Sequence, residues 1–582
     1  MDDEDNTTPC GICALNMLES RKTLWIKCTV CRPGWFHVTC LGLTGRAAQA
    51  LRDSRSWECG FTCSVNNSTR QQGLPANITA PDPQSKPLEP IYPGVKIIQR
   101  IPKGARNLAA VKLADLLDRC VEESITETWS ELFHFAWERL YQPGIDPKGQ
   151  PRSLHYSLTS KIKNQLNAAH PSPHAILEMF GKKANRKKAG SGNKNSKDGE
   201  KLARRIDQKL SEGDIRGAVR AVSSTTGLAK FSQETAQLLE AKHPRQVEGN
   251  MIPTLLQLPD VEPLTTSEDE VLTAINSFPP GSSGGPDGLR PIHIKDMISR
   301  SAGDAGARLL SSITKFVNLV LRGSVCPQVL PVLFGASLCA LEKKCGGVRP
   351  IAVGNTLRRV VGKVVSRSVQ QEMGDFLRPV QLGYGTRAGC EAAIHSVRQY
   401  LQKSHAGPKV VLKGDYSNAF NSLDRATFLR RLAEVAPKTL AYATQAYGQS
   451  SLLFFGQHRL DSASGVQQGD PLGPLLFSLG IHELATSLSS ELNVWYLDDV
   501  TVCGDPATVL HDLRKIQTDS TSLGLSLNND KSEITVINCS EDDKQAICQQ
   551  FEELAPGIKV VPLQKATLLG SPLSVDGINE SI

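Results

Sequence analysis

Three carboxylates stand where an acid is costly. Asp498 and Asp499 are adjacent inside an apolar run from Val494 to Val502, and Asp415 closes a second apolar run, Val410-Val411-Leu412. A carboxylate at the end of a buried strand must be paired, hydrogen-bonded or bound to a metal. Hard oxygen donors of this kind suit Mg2+. The three acids therefore predict a Mg2+ site.

The elements that must position them follow from strand geometry. Consecutive strand residues point to opposite faces, so Asp498 and Asp499 can approach one site only from a tight turn. This predicts a β-hairpin tip at Leu497 to Val500 and a strand ending at Asp415. Before that strand, Ala393, Ile394, Val397, Tyr400 and Leu401 fall on one face of a helix spanning Gly389 to Leu401, which the Gly407-Pro408 break ends. Further upstream, Leu338 to Leu341 reads as a strand, Glu342 to Gly347 as a turn and Val348 to Val353 as the returning strand. Lys343, Lys344 and Arg349 would project from that hairpin, either to clamp a triphosphate or as an ordinary basic surface. The Gly-rich turn from Gly281 to Gly288 lies between helical stretches at Glu268 to Phe278 and Ile292 to Arg300. Blocks at Gly465 to Phe477 and Leu523 to Lys531 gain meaning only from their order.

A second set of donors sits at the N-terminus. Cys10-x2-Cys13, Cys28-x2-Cys31, His37-x2-Cys40 and Cys59-x3-Cys63 supply eight soft or borderline ligands, enough for two tetrahedral Zn2+ ions. A segment of this length builds little core, and structural zinc offsets that by about 10 kcal/mol per site. Spacing leaves open which pairs share an ion. The ligand order, with histidine fifth, and Trp57 two residues before Cys59 resemble the PHD finger. That resemblance implies that the first and third pairs share one zinc and the second and fourth the other. The last pair departs from it, with three intervening residues instead of two. Trp25 and Trp35 stand at positions where that family builds a methyl-lysine cage, a cation–π device for histone tails; their other role is packing against the zinc knuckles.

Composition bounds the rest. The 582 residues, 40% of them hydrophobic, are enough for two to four domains. The net charge of +7 is modest for this length, so local basic patches matter more. The N-terminus Met1-Asp2-Asp3-Glu4-Asp5 is acidic, and no stretch of about eighteen apolar residues occurs. An intracellular, soluble protein with no membrane partner is expected, with its 15 cysteines mostly reduced or metal-bound. Residues 1–64 form the zinc module and 65–90, rich in Asn, Gln, Ser and Pro, a flexible linker. Residues 91–260 read as a helical, basic extension. Within it, Leu113, Leu116, Leu117, Ile125, Trp129, Leu132, Phe133 and Trp137 mark two amphipathic helices with these residues in the core. A disordered stretch is expected near 181–200, where Gly181-Lys182-Lys183-Ala184-Asn185-Arg186-Lys187-Lys188 opens a basic run that suits phosphate backbones or nuclear import, or is a solvated linker face.

Taken in order, the blocks resemble a reverse transcriptase, most closely that of a non-LTR retrotransposon, from about Val261 to Ser574. Pro286-Asp287-Gly288 and Arg349-Pro350-Ile351 match its finger blocks; Asp415-x4-Phe420, Gln468-Gly469 and Tyr496-Leu497-Asp498-Asp499 match its palm blocks. Lys531 stands at the lysine of the next block, and Leu568-Leu569-Gly570 resembles the primer grip. The resemblance implies an α+β, right-hand polymerase fold with fingers and palm over 261–582, in a nuclear protein with a cytoplasmic phase. It implies RNA-templated DNA synthesis with RNA template, DNA primer and dNTPs as partners. Asp415 and Asp498 would hold two Mg2+ with Asp499 in support, and Lys531 would protonate the leaving pyrophosphate. Phe420 would exclude a ribose 2′-hydroxyl or pack in the palm core, and Gln468 and Gly469 would line the nucleotide pocket. Leu497 stands where many such elements have alanine. The end at Ile582 leads to the expectation of a chain without thumb, RNase H or endonuclease. The alternative is then a weak or inactive truncated copy that binds chromatin or nucleic acid.

Overall fold

The computed structural model describes residues 25–27, 35–37, 88–89, 95–123, 125–142, 158–168, 194–211, 213–223, 227–245, 261–343 and 346–574. The chain divides into two compact units, Met1–Ser85 and Lys86–Ile582. In the first, strands β1 (Trp25–Lys27) and β2 (Trp35–His37) pair antiparallel, with Trp25 opposite His37 and Lys27 opposite Trp35. The expected zinc ligands Cys10, Cys13, Cys28, Cys31, Cys40, Cys59 and Cys63 lie outside the described residues, as do Lys344 and the basic run 181–188.

The second unit is built on two sheets. The longer strand hairpin, β3 (Ala336–Glu342) and β4 (Val348–Gly354), joins β6 (Ser451–Phe455) and β7 (His458–Ser462) in the order β4-β3-β6-β7. The other sheet has the order β11-β10-β5-β9-β8, from β5 (Lys409–Gly414), β8 (Leu492–Tyr496), β9 (Asp499–Gly504), β10 (Glu533–Ile537) and β11 (Lys559–Val560). A small ribbon, β12 (Thr567–Leu568) and β13 (Ser571–Pro572), follows. The Val-Val-Leu run of β5 explains its central place: a strand covered on both faces needs a continuous apolar run, and Val410, Val411 and Leu412 are all buried.

The expected amphipathic helices form at Arg106–Glu122 and Thr126–Arg139. Leu113, Leu117, Trp129, Leu132 and Phe133 are buried as expected, and Trp129 packs against Phe316 of the helix Asp304–Leu321 at 5.4 Å between ring centroids. Ile125 departs from the expectation: it precedes the second helix at its N-cap and is 47% exposed. The residue that caps a helix leaves the helical path, so the periodicity that places it on the apolar face no longer applies. Trp137 is half-buried, and its indole N–H donates to the Pro286 carbonyl at 2.8 Å. The extension thus shares one apolar core with the residues that follow it.

Residues 194–200 also differ from the expected disorder, since they begin the helix Lys194–Ser211. Lys, Glu, Leu, Ala, Arg and Gln, which dominate the following residues, lose little rotamer freedom in a helix. Further on, Gly227 to Ala229 runs along the outer half of β3, where Ala229 N–H donates to the Ala340 carbonyl and Glu342 N–H to Gly227. That segment covers an edge that β6 leaves open, since β6 pairs only with Ala336 and Ser337. No helix of the described residues is long and apolar enough to cross a membrane.

Candidate active site

The central sheet brings the three acids together. β5 and β9 are antiparallel with Gly414 opposite Val500, so the next step of the same register sets Asp415 across from Asp499. β8 and β9 are joined by the two-residue turn Leu497-Asp498, with Tyr496 opposite Asp499. The expected hairpin tip is present, and it is tighter than Leu497 to Val500 because Asp499 already belongs to β9. Leu497 takes φ +56, which turns the chain so that Asp498 and Asp499 do not diverge as consecutive strand residues would.

Asp415 is braced from the other side. Its backbone N–H donates to Ser532 Oγ at 3.3 Å and its carbonyl accepts from Asn528 N–H at 2.7 Å. Lys531, in the same turn, places Nζ 3.7 Å from Asp415 Oδ2. Tyr416 stacks on the buried Trp495 of β8, and its hydroxyl meets Ser520 Oγ at 2.8 Å. These contacts fix the end of β5 against β8 and β10.

The site is electrostatically strained in a way that favours cations. Burial raises the Asp498 carboxyl above its ordinary range, and Asp415 adds to this, while Arg349 and Lys343 pull the other way. Asp499 is pushed from 3.8 up to about 6, first by burial, then by Asp498 and Asp415. Arg349, on the β3–β4 hairpin, lowers the carboxyls of both Asp498 and Asp499, and Lys343 lowers that of Asp498. Among the described residues no group of three or more His, Cys, Asp or Glu side chains forms a ready metal cage. That is compatible with Mg2+, which is commonly held by one or two carboxylates and completed by substrate phosphates and water. The oxygen donors and their mutual repulsion fit such an ion.

A pH dependence follows from Asp499. Between about pH 4 and 6 the folded protein keeps a proton that the unfolded chain releases, so this group makes stability fall as pH rises through that window. In Mg2+-free buffer, Asp499→Asn is expected to make stability fall less steeply with pH across that window. Thermal melts of both proteins across the window check it, and identical pH profiles would refute it.

The remaining predicted residues are distributed around the acids. Phe420, in the short helix Ala419–Ser422, is half-buried and stacks on Phe477 at 4.6 Å with an interplanar angle of 9°. Gln468 and Gly469 dock on the other sheet, with Ala352 N–H donating to the Gln468 carbonyl at 2.8 Å. Gly469 has φ +124, and a Cβ there would come within 2.4 Å of the Ala352 carbonyl oxygen. Only glycine allows that approach.

Residues not singled out from the sequence hold this loop. Arg358, on the helix Thr356–Ser368, forms an ion pair with Asp470 and donates to Gln467 Oε1 at 2.7 Å. Tyr447 donates its hydroxyl to Asp470 Oδ2 at 2.9 Å. The side chains of Arg358 and Asp470 are 2% and 1% exposed. The signal was legible: Arg358 sits among Leu357, Val360 and Val361 on the apolar face of its helix, where a charge requires a partner.

Residues 341–570 match the family described as "Reverse transcriptase (RNA-dependent DNA polymerase)". The span contains the three acids, Lys343, Arg349, Phe420, Gln468, Gly469 and Lys531. Among curated relatives, the retrotransposable element SLACS 132 kDa protein of Trypanosoma brucei gambiense is 26% identical over 237 residues, covering 39% of this chain and 20% of that protein. The Pol polyprotein from the type-2 retrotransposable element R2DM of Drosophila melanogaster is 27% identical over 271 residues, covering 43% of this chain and 24% of that protein. The matched part thus spans about a fifth to a quarter of the length of those relatives. A solved telomerase from Candida albicans aligns at 12% identity over 35% of this chain and 43% of that chain, with a TM-score of 0.28, which is too slight to support an argument. The matched residues, which include the acids assembled at the ends of β5 and β9, are thus similar to the reverse transcriptase family and to parts of two retrotransposon proteins.

Proposed function

We propose that the chain is an RNA-directed DNA polymerase of a non-LTR retrotransposon, extending a DNA primer on an RNA template from dNTPs. The observation that carries this reading is the meeting of Asp415 with the Asp498–Asp499 hairpin inside the matched domain. The primer 3′-hydroxyl attacks the α-phosphorus of a dNTP, forming the new phosphodiester and releasing pyrophosphate. Two Mg2+ ions at Asp415 and Asp498, with Asp499 in support, would activate the hydroxyl and neutralise the leaving group. Lys343 and Arg349 hold the triphosphate from the hairpin above, Gln468 and Gly469 line the pocket, and Lys531 protonates pyrophosphate once Asp415 is engaged by metal. Primer extension on poly(rA)/oligo(dT) with Mg2+ tests the reading. Absence of any product would overturn it.

Phe420 is proposed as the sugar gate. Its stacking on Phe477 supports a ring held in one orientation against a 2′-hydroxyl. Phe420→Ala is expected to raise ribonucleotide use relative to deoxynucleotide use by about 10- to 100-fold. Single-nucleotide incorporation with UTP and dTTP measures it; an unchanged ratio would assign Phe420 to core packing alone.

The N-terminal unit is proposed to hold two structural Zn2+ through Cys10, Cys13, Cys28, Cys31, His37, Cys40, Cys59 and Cys63 in the PHD arrangement, and to bring the polymerase to histone tails in the nucleus. The ligand spacing and the short β1–β2 ladder support this. Pull-down with trimethyl-lysine histone peptides, comparing wild type with Trp35→Ala, tests the cage; equal capture removes it. A catalytically silent copy retaining only this binding is the second reading, and primer extension separates the two.

A further inference from the structure

The turn that carries Asp498 is held from outside its own hairpin. Leu497, at φ +56, occupies the left-handed region, which an L residue with a branched side chain enters at a cost. Such a conformation persists only where the surroundings over-determine it. Here they do so through Gln381, which is 1% exposed. Its Oε1 accepts the Leu497 N–H at 2.8 Å and the Gly383 N–H at 2.9 Å, and its Nε2 donates to the Leu497 carbonyl at 3.2 Å.

The backbone beside Gln381 is laid along β8. Trp495 N–H donates to the Val380 carbonyl at 2.7 Å, and Leu382 N–H donates to the Trp495 carbonyl at 2.8 Å. The approach is close: a Cβ on Gly383 would lie 2.6 Å from Leu497 N and 2.7 Å from Leu497 Cγ. Only a primary amide offers this clamp. One oxygen takes two N–H groups while the nitrogen supplies a donor to a carbonyl. A glutamate would set a second acceptor against the Leu497 carbonyl.

We propose that Gln381 is a positioning residue for nucleotidyl transfer: it locks the Leu497 backbone and thereby fixes the direction in which Asp498 leaves the turn toward Asp415. The catalytic half of this statement rests on the polymerase function proposed above; the effect on the acidic site does not.

The test uses Gln381→Ala, Gln381→Glu, Leu497→Gly and the Leu497→Gly/Gln381→Ala double variant in the full chain. Gln381→Ala is expected to lower kcat by about 10- to 100-fold, as a displacement of about 1 Å at a catalytic group does, with KM for primer–template unchanged. Electron paramagnetic resonance of Mn2+, titrated into protein without nucleic acid, is expected to show weaker binding by the same variant. Glycine takes the left-handed region without steric cost, so in the Leu497→Gly background removal of Gln381 should cost less than about threefold. Gln381→Glu should lose activity at neutral pH and recover relative to wild type as pH falls, when its protonated carboxyl regains a donor. That pH dependence would not arise from a purely structural role, and the variant preserves side-chain volume should Gln381→Ala fail to fold. Equal losses with Leu497 intact and in the Leu497→Gly background, or unchanged kcat and Mn2+ binding in Gln381→Ala, would overturn the proposal. If wild type extends no primer, the polymerase function fails and the Mn2+ comparison still decides the clamp.

Discussion

Asp498→Asn is expected to reduce primer extension by at least about 10³-fold, because the lost carboxylate removes several kcal/mol of charge stabilisation from the reacting phosphate through the metal it would hold. The substitution keeps the size and one acceptor oxygen of the side chain, so the loss isolates charge. Folding should not suffer. Burial and the neighbouring Asp415 already raise the carboxyl of Asp498, which means that the ionised form is disfavoured in the folded protein and a neutral amide relieves that repulsion. Activity and stability are therefore expected to separate: near-complete loss of product with a thermal midpoint at neutral pH equal to or above that of wild type. Chelation of Mg2+ from the wild-type protein should abolish product to the same extent. A variant that retains a tenth or more of wild-type activity would show that Asp498 is not the carboxylate on which transfer depends. A loss accompanied by an equal fall in folded protein would place the residue in the scaffold instead.

How much of this site was legible depended on the range of the interactions involved. The acids announced themselves because they interrupt or close apolar runs, and the Asp498–Asp499 pair required a turn on strand geometry alone; the turn is there, two residues shorter than expected. The β3–β4 hairpin and the helix Gly389–Gln402 followed from local periodicity and turn residues. Local pattern could not give the register that sets β5 beside β9, since the two strands are far apart in sequence and either could have paired elsewhere. Nor could it reveal Gln381, an uncharged residue whose hydrogen bonds span 116 positions to Leu497. Ile125 shows the opposite failure. Its spacing matched the apolar face, yet the helix begins after it. Arg358 was within reach, because a charge among buried valines must have a partner, although the identity of that partner, Asp470, belongs to the fold.

Removing Arg358 is expected to be the most destabilising single change near the site. The Arg358 and Asp470 side chains are 2% and 1% exposed, and Asp470 otherwise has the Tyr447 hydroxyl and the Leu472 N–H as donors. Taking one partner from a buried ion pair leaves a desolvated charge and costs about 3–5 kcal/mol. Arg358→Ala, and likewise Asp470→Ala, should thus lower the thermal midpoint well beyond any substitution of the exposed Arg349. Replacing both, as Arg358→Met with Asp470→Leu, removes the unpaired charge and should recover much of the lost stability, since buried pairs and well-packed apolar residues are often near equal. Activity should not recover with it. Arg358 also donates to Gln467, and the same loop carries Gln468 and Gly469 against β4; without the network that loop loses its anchor, and KM for dNTP should stay raised. Thermal melts and single-nucleotide kinetics on the two single variants and the double variant decide the matter. A double variant as unstable as either single variant would show that packing, not the buried charge, dominates there. One as active as wild type would show that the loop is positioned by other contacts.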